Sequence, residues 1–220
     1  MKTAVITGAN RGIGLALCKE YIAQGWQVYG ICRTASTELN ATGAKLIAGI
    51  DITNADAVTR LPALLANCDI DLLINNAGIL HGESLENIDY TTVAQQILVN
   101  AIAPLRISEV LLGLFSANAK IAFITSRMGS IADNTSGGYY GYRMSKAALN
   151  AAAMSLSHDV KSRGIAVAIL HPGYVQTAMV NFGGDISAAE SAGRLYQRIE
   201  ELTITTSGGF WHSNGERLPW

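Results

Sequence analysis

The stretch Ala4-Val5-Ile6-Thr7-Gly8-Ala9-Asn10-Arg11-Gly12-Ile13-Gly14 reads as a short buried strand that breaks into a glycine turn and then a helix. Ala4 to Ile6 is apolar, Thr7-Gly8 ends the run, and a helical pattern follows over 12–24. Glycine permits a tight turn and lets backbone N–H groups approach a pyrophosphate, and the next helix presents the positive end of its dipole. Strand, turn and helix together predict a dinucleotide site at Gly8, Gly12 and Gly14. The spacing is G-x-x-x-G-x-G, which departs from the G-x-G-x-x-G fingerprint.

The same alternation continues outward from this turn. Apolar strand candidates lie at Ala4–Thr7, Gln27–Cys32, Lys45–Ile50, Asp71–Asn75, Lys120–Thr125, Ala166–Leu170 and Gly209–Trp211. Helical patterns fall between them near 12–24, 55–67, 90–116, 142–162 and 187–201. Near-continuous apolar strands are buried on both faces, as in a parallel sheet. The expectation is an α/β fold: one domain over 1–220, a doubly wound (Rossmann) parallel sheet of about seven strands with helices on both faces. Ligands then bind at the carboxyl ends of the strands.

Composition excludes several classes. The chain has 220 residues, 49% of them hydrophobic, enough for a substantial core. The net charge is -1 and no Lys/Arg cluster occurs, which argues against nucleic-acid binding. The richest apolar stretch, Thr92 to Ala117, is interrupted by Gln95, Gln96, Asn100, Arg106 and Glu109, so no membrane span is expected. Cys18, Cys32 and Cys68 have no metal-ligand spacing and read as reduced thiols of a cytoplasmic protein. His81, His158 and His212 are scattered, so no metal is expected.

The second strand ends Gly30-Ile-Cys32-Arg33-Thr34 with no acid to bond a ribose 2′-hydroxyl. Arg33 and Arg11 offer guanidinium groups for a 2′-phosphate instead, so the predicted cofactor is NADP(H). Asp51 is placed either to meet the adenine amino group or to serve as a helix N-terminal acid ahead of Thr53-Asn54. Further along, Tyr142-Arg-Met-Ser-Lys146 sets a phenol and an ammonium one helical turn apart on one face. A fixed cation beside the phenol is expected to lower its pKa and fit it for acid–base work.

Taken in order, these residues resemble the short-chain dehydrogenase/reductase family across essentially the whole chain. The motifs are Thr7-Gly8-x-x-x-Gly12-x-Gly14, Asn75-Asn76-Ala77-Gly78, Asn100, Ser126-x-x-Gly129, Tyr142-x-x-x-Lys146, and Pro172-Gly173 with Thr177. The tract from Tyr142 to Asn150 and the ending Gly208-Gly-Phe-Trp are similar to the sniffer-like and C-factor-like carbonyl reductases of that family. The resemblance implies that Tyr142 is the acid in reduction, that Ser126 holds the substrate oxygen, and that Lys146 tunes Tyr142 and binds the nicotinamide ribose. It implies that Asn100 supports a proton-relaying water chain. The cofactor contacts it implies are Gly8, Asn10, Arg11, Gly12, Ile13, Gly14, Arg33, Asp51, Ile52, Asn75, Ala77, Gly78, Tyr142, Lys146, Pro172, Gly173, Val175 and Thr177. The partner it implies is a small or medium carbonyl or alcohol, and the assembly a homodimer or homotetramer.

Two features depart from the family pattern. The gap between Ser126 and Tyr142 is longer than usual, which makes Ser130 a rival for the serine role. The segment 178–186 is short, implying an open or shallow substrate pocket with Met179 and Phe182 as contacts. His171 reads as a hydrogen-bonded structural residue. Tyr139 and Tyr140 read as loop packing or substrate wall. The alternative function is a nucleotide-dependent binding or signalling protein with incidental catalysis. A sugar-nucleotide epimerase or dehydratase would need a larger C-terminal substrate domain than two strands and a helix.

Overall fold

The computed structural model describes all 220 residues. Seven strands form one sheet: β1 (Thr3–Thr7), β2 (Gln27–Ile31), β3 (Lys45–Ile47), β4 (Ile70–Asn75), β5 (Phe115–Ile124), β6 (Ala166–His171) and β7 (Phe210–His212). Their order is β3-β2-β1-β4-β5-β6-β7 and every pairing is parallel. The order reverses between β1 and β4, the switch point where open α/β sheets leave a crevice.

The apolar strands feed two cores. Val5, Leu73, Ile121, Phe123, Val167 and Ile169 point to one face, and Ala4, Ile6, Leu72, Ile74, Ala122, Ile124, Ala168 and Leu170 to the other. This is the period-2 alternation of a strand, with both sets apolar because both faces are covered. Helix α1 (Gly12–Ala23), the short α2 (Thr37–Asn40) and, near the end of the chain, Ala188–Glu200 cover the second face through Leu17, Tyr21, Leu39, Leu195 and Ile199. The first face receives α3 (Ala55–Thr59), α4 (Leu61–Leu64), α6 (Ala103–Leu111) and α7 (Tyr140–Asp159), while α5 (Tyr90–Ile97) packs on α7; Ala188–Glu200 completes the set as α8. Lys120 donates from Nζ to the carbonyls of Ile199 and Glu200 at 2.6 and 3.0 Å, closing the negative end of α8.

Three expected helices differ in detail. The 55–67 pattern splits at Arg60, because Pro62 has no N–H to continue the first helix. The 90–116 pattern contains a π turn, Leu98–Ile102, where the N–H of Ala103 reaches back five residues to the Leu98 carbonyl. Pro104 explains the break: it removes the ordinary donor to the Asn100 carbonyl, and its ring would crowd that carbonyl. The helix then stops at Leu111, and β5 begins at Phe115 rather than Lys120, with a register shift opposite Ile70 to Leu72. The helix expected over 142–162 starts two residues earlier and ends at Asp159. The stretch Tyr90–Leu114 is apolar and long enough to cross a membrane by composition; here it lies against the sheet and lends Ile107 and Leu111 to the core.

Candidate active site

A cleft of about 680 Å³ opens over the carboxyl ends of the strands at the switch point. One end is walled by Arg33, Thr34, Asp51 and Ile52, the middle by Gly8, Asn10, Arg11, Gly12 and Ile13, and the other end by Tyr142, Lys146, Met179 and Phe182. Ala77, Gly78, Pro172 and Thr177 complete the lining. A Cβ added to Gly12 would stand 3.4 Å from Thr177 Cγ2, so the two walls nearly meet across the turn.

Thr7 and Asn76 sew β1 to β4 beneath the cleft. The Thr7 hydroxyl accepts from the N–H groups of Asn76 and Ala77 at 3.0 and 3.1 Å, and the Asn76 amide donates to the Thr7 carbonyl at 3.0 Å. Asn76 also lines the cleft. Asn75 does not, although the family resemblance counted it among the cofactor contacts. It is buried, and its amide donates at 3.0 Å to Ser108 behind the sheet. Adjacent strand residues face opposite ways, so only one of the two asparagines can serve the cleft. The neighbouring strand end could have carried that signal: β4 has Leu73 on one face and Leu72 and Ile74 on the other.

Gly14 is likewise not a cleft residue. Its missing Cβ would fall on the Gly8 carbonyl and the Asn76 amide, so its smallness lets the first turn of α1 pack against the end of β1. Gly173 and Val175 also stand outside the lining: Gly173 abuts Ile186, and Val175 is buried and bridges to the same residue. They shape the loop that presents Thr177 and the unanticipated Gln176.

Asp51 lines the cleft, but it does not cap α3; Asn54 does, accepting from the Ala57 N–H at 3.0 Å. The Asp51 carboxylate accepts from the Thr53 N–H and hydroxyl at 2.9 and 2.7 Å. Those bonds, with a smaller contribution from Arg33, hold its carboxyl below the usual range. Arg11 and Arg33 are exposed, and neither takes part in any of the three ion pairs, Arg127–Asp133, Arg194–Glu190 and Arg198–Glu201.

At the far end, α7 carries Tyr142 and Lys146, both buried at 8% and 4% exposure. Lys146 Nζ donates to the Ile124 carbonyl at 2.9 Å and lies 5.8 Å from the Tyr142 ring centre. Burial pushes the Lys146 ammonium down to about 8 and the Tyr142 phenol up to about 12, the nearby Ser126 hydroxyl partly offsetting the latter. The direction is opposite to the expected lowering: burial raises the phenol, and the Lys146 ammonium is turned toward a carbonyl. Ser126 follows β5 and accepts from the Met128 N–H at 3.1 Å. The turn after it packs on α7 at Gly129, where a Cβ would come within 2.7 Å of the Lys146 backbone. That contact brings Ser126 beside Tyr142. The Ser130 hydroxyl makes the same kind of bond, accepting from the Asp133 N–H at 3.0 Å, but it is the Ser126 hydroxyl that reaches Tyr142.

Asn100 is fully buried in the π turn. Its side-chain oxygen accepts from the Ile79 N–H at 2.8 Å, and its amide donates to the Ile79 carbonyl at 2.8 Å and Ser145 at 3.0 Å. His171 departs from its expected hydrogen-bonded state. Its Nδ1 has no partner, its ring meets His212 edge-on at 4.8 Å, and burial pushes it down to about 3.

The cradle fits a phosphorylated dinucleotide: a turn with glycine at positions 8 and 12 leading into a helix N-terminus, the Arg11 guanidinium in that turn and the Arg33 guanidinium at the adjoining end, neither in an ion pair. Comparison with known proteins agrees with this reading of the fold. Residues 2–185 match the family model for short chain dehydrogenase. A Rhodococcus relative, 1-hydroxy-2-glutathionyl-2-methyl-3-butene dehydrogenase, is 35% identical over 226 residues and the match covers 100% of both chains. The C-signal of Myxococcus xanthus is 41% identical over 154 residues, covering 69% of this chain and 93% of the relative. Among solved structures, the carbonyl reductase Sniffer of D. melanogaster superposes with a TM-score of 0.91 at 29% identity, covering 100% of both chains. An NADPH-bound carbonyl reductase from chicken fatty liver gives 0.90 at 28% identity, covering 100% of this chain and 99% of that one. Sheet order, cleft and these matches converge, and the chain belongs to the short-chain dehydrogenase family of oxidoreductases.

Proposed function

We propose that the protein uses NADPH to reduce a small or medium aldehyde or ketone, with Tyr142 giving the proton. One observation carries the reading: a single cleft joins Arg33 at one end and Arg11 in the glycine turn to Tyr142 and Lys146, beside Ser126, at the other end. When bound, NADPH would supply the hydride; the chain's residues supply position and the proton. Arg11 and Arg33 would hold the 2′-phosphate, and the glycine turn the pyrophosphate. Pro172 and Thr177 would wall the nicotinamide end. Tyr142, pushed up to about 12, holds its proton at neutral pH and can donate it from Oη to the carbonyl oxygen. Ser126 would donate a second hydrogen bond to that oxygen. Lys146, at about 8, is largely charged at pH 7 and would stabilise the phenolate left behind. Asn100 would support a water chain near Lys146: its Oδ1 and the Lys146 Nζ stand 3.2 and 3.7 Å from a Cβ added at Gly78.

The test is Tyr142→Phe with NADPH and a carbonyl panel. The expected result is loss of turnover by roughly 100- to 10,000-fold, the range of positioned acid–base catalysis, with NADPH affinity kept. Unchanged NADPH consumption with a proven substrate would remove Tyr142 from the reaction. A second reading, a nucleotide-dependent signalling protein, draws on the identity with the C-signal. It predicts tight NADPH binding and negligible turnover across the same panel in the wild type.

A further inference from the structure

The helix that carries Tyr142 begins without a cap of its own. Its N-cap residue, Tyr139, sits in the left-handed region (φ 51, ψ 42) and offers no side-chain bond to the free N–H groups of the first turn. A residue far away in sequence does so instead. Glu83 Oε2 accepts from the Gly141 N–H at 3.1 Å, and the Glu83 carbonyl accepts from the Tyr139 N–H at 2.9 Å. Glu83 is 7% exposed and has no cationic partner. Its other oxygen accepts from Gln96 Nε2 at 2.7 Å and, at 3.4 Å, from the Thr92 hydroxyl, which also donates to the Asp89 carbonyl at 2.9 Å. Gln96 is fully buried, and its own oxygen accepts from the His81 N–H at 2.9 Å.

The result is a chain of bonds with a backbone donor at each end, Gly141 at one and His81 at the other. Between two donors, a carboxylate followed by an amide is satisfied at every joint. Two amides are not, because one joint must then set donor against donor. This excludes glutamine at position 83 although its size is the same. The order can be reversed, with amide at 83 and carboxylate at 96, and every joint is satisfied again. There is no spare room in the arrangement: a Cβ on Gly141 would stand 2.9 Å from both Glu83 Oε1 and Val93 Cα, and would strike the Gln96 amide.

We propose that Glu83 is a positioning residue that, through Gln96, fixes the first turn of α7 and so holds Tyr142 beside Ser126; this rests on the carbonyl-reductase reading above. Gly141 directly precedes Tyr142, at the end of the helix where fraying is greatest. Lys146 is held independently, by the Ile124 carbonyl and by the packing of Gly129. Loosening the carboxylate therefore frees the phenol and spares the cofactor side of the cleft.

The experiment compares wild type, Glu83→Gln and the exchanged pair Glu83→Gln with Gln96→Glu. NADPH affinity, carbonyl turnover, and hydrogen exchange at the Gly141 and His81 amides are measured in each. Glu83→Gln is expected to bind NADPH as wild type does, to exchange faster at those amides, and to lose kcat by roughly 10- to 100-fold with KM little changed. The exchanged pair is expected to recover both properties. Wild-type kcat in Glu83→Gln, an equal loss of NADPH binding, or an exchanged pair no better than the single variant would overturn the proposal. Should Glu83→Gln not fold, the exchanged pair decides: folded and active supports the relay, unfolded or inactive overturns it. Should the wild type reduce no carbonyl at all, that reading fails by itself. The amide exchange rates then judge the relay, with faster exchange restored by the pair supporting it and unchanged exchange overturning it.

Discussion

Lys146 holds a buried charge at the expense of the fold, and replacing it with methionine tests this directly. Burial lowers its pKa from 10.5 to about 8. That difference corresponds to about 3 kcal/mol of destabilisation while both folded and unfolded states bind the proton. The sign follows from proton binding. Between pH 8 and 10.5 the unfolded chain holds the proton more tightly, so stability rises with pH through this window. Below pH 8 the penalty is complete, and above 10.5 it is gone. Methionine fills similar space with no charge to bury, and forfeits the bond to the Ile124 carbonyl, worth about 2 kcal/mol because its donor is charged. The net expectation is that Lys146→Met is more stable than wild type by about 1 kcal/mol at pH 7. By pH 9.5 that advantage is gone, because about 2 kcal/mol of the penalty has been relieved there. Urea unfolding of both proteins at pH 7 and 9.5 measures it. The range stops short of pH 10, where Tyr142 begins to act in the opposite direction: its raised pKa makes the unfolded chain ionise first. A variant no more stable than wild type at pH 7, or a difference that does not change with pH, refutes the reasoning.

Two further outcomes follow from the cleft. Arg33→Asp is expected to weaken NADPH about 10- to 100-fold, the worth of one or two charge-assisted hydrogen bonds, while leaving NADH within a few fold; fluorescence titration with both nucleotides checks it. Gly14→Ala is expected to destabilise the protein by about 1–3 kcal/mol, because the new methyl group falls on the Gly8 carbonyl and the Asn76 amide. A thermal midpoint equal to wild type would show that the turn has room that the structure denies it.

What the sequence made legible was local. Thr7-Gly8 to Gly14 could be read because strand, turn and helix lie within a dozen residues, and Tyr142 to Lys146 because one helical turn spans them. The seven strands were readable because both faces of the sheet are apolar. What escaped depended on distance or burial. The choice between Asn75 and Asn76 depends on which face of β4 is inward at its last residue. The π turn at Leu98–Ile102 depends on Pro104, whose effect on the helix shows only once the chain is known to continue through it. The Tyr142 pKa depends on how deeply α7 sits, and on the Lys146 ammonium bonding a carbonyl of β5. Glu83 and Gly141, 58 positions apart, meet through the packing of α5 on α7, which no local pattern announces.

The near-contact of Gly12 and Thr177 ties the lifetime of the whole chain to whatever occupies the cleft. These residues lie far apart in the sequence, one in each half, so a molecule lodged between them touches segments that drift apart when either half opens. Such a molecule is released by almost any opening, and mass action then opposes all of them together: at a hundred times its Kd it adds about 2.7 kcal/mol, roughly a hundredfold in the population of open, cleavable chains. The rate at which a protease destroys this protein would accordingly report the supply of its cofactor.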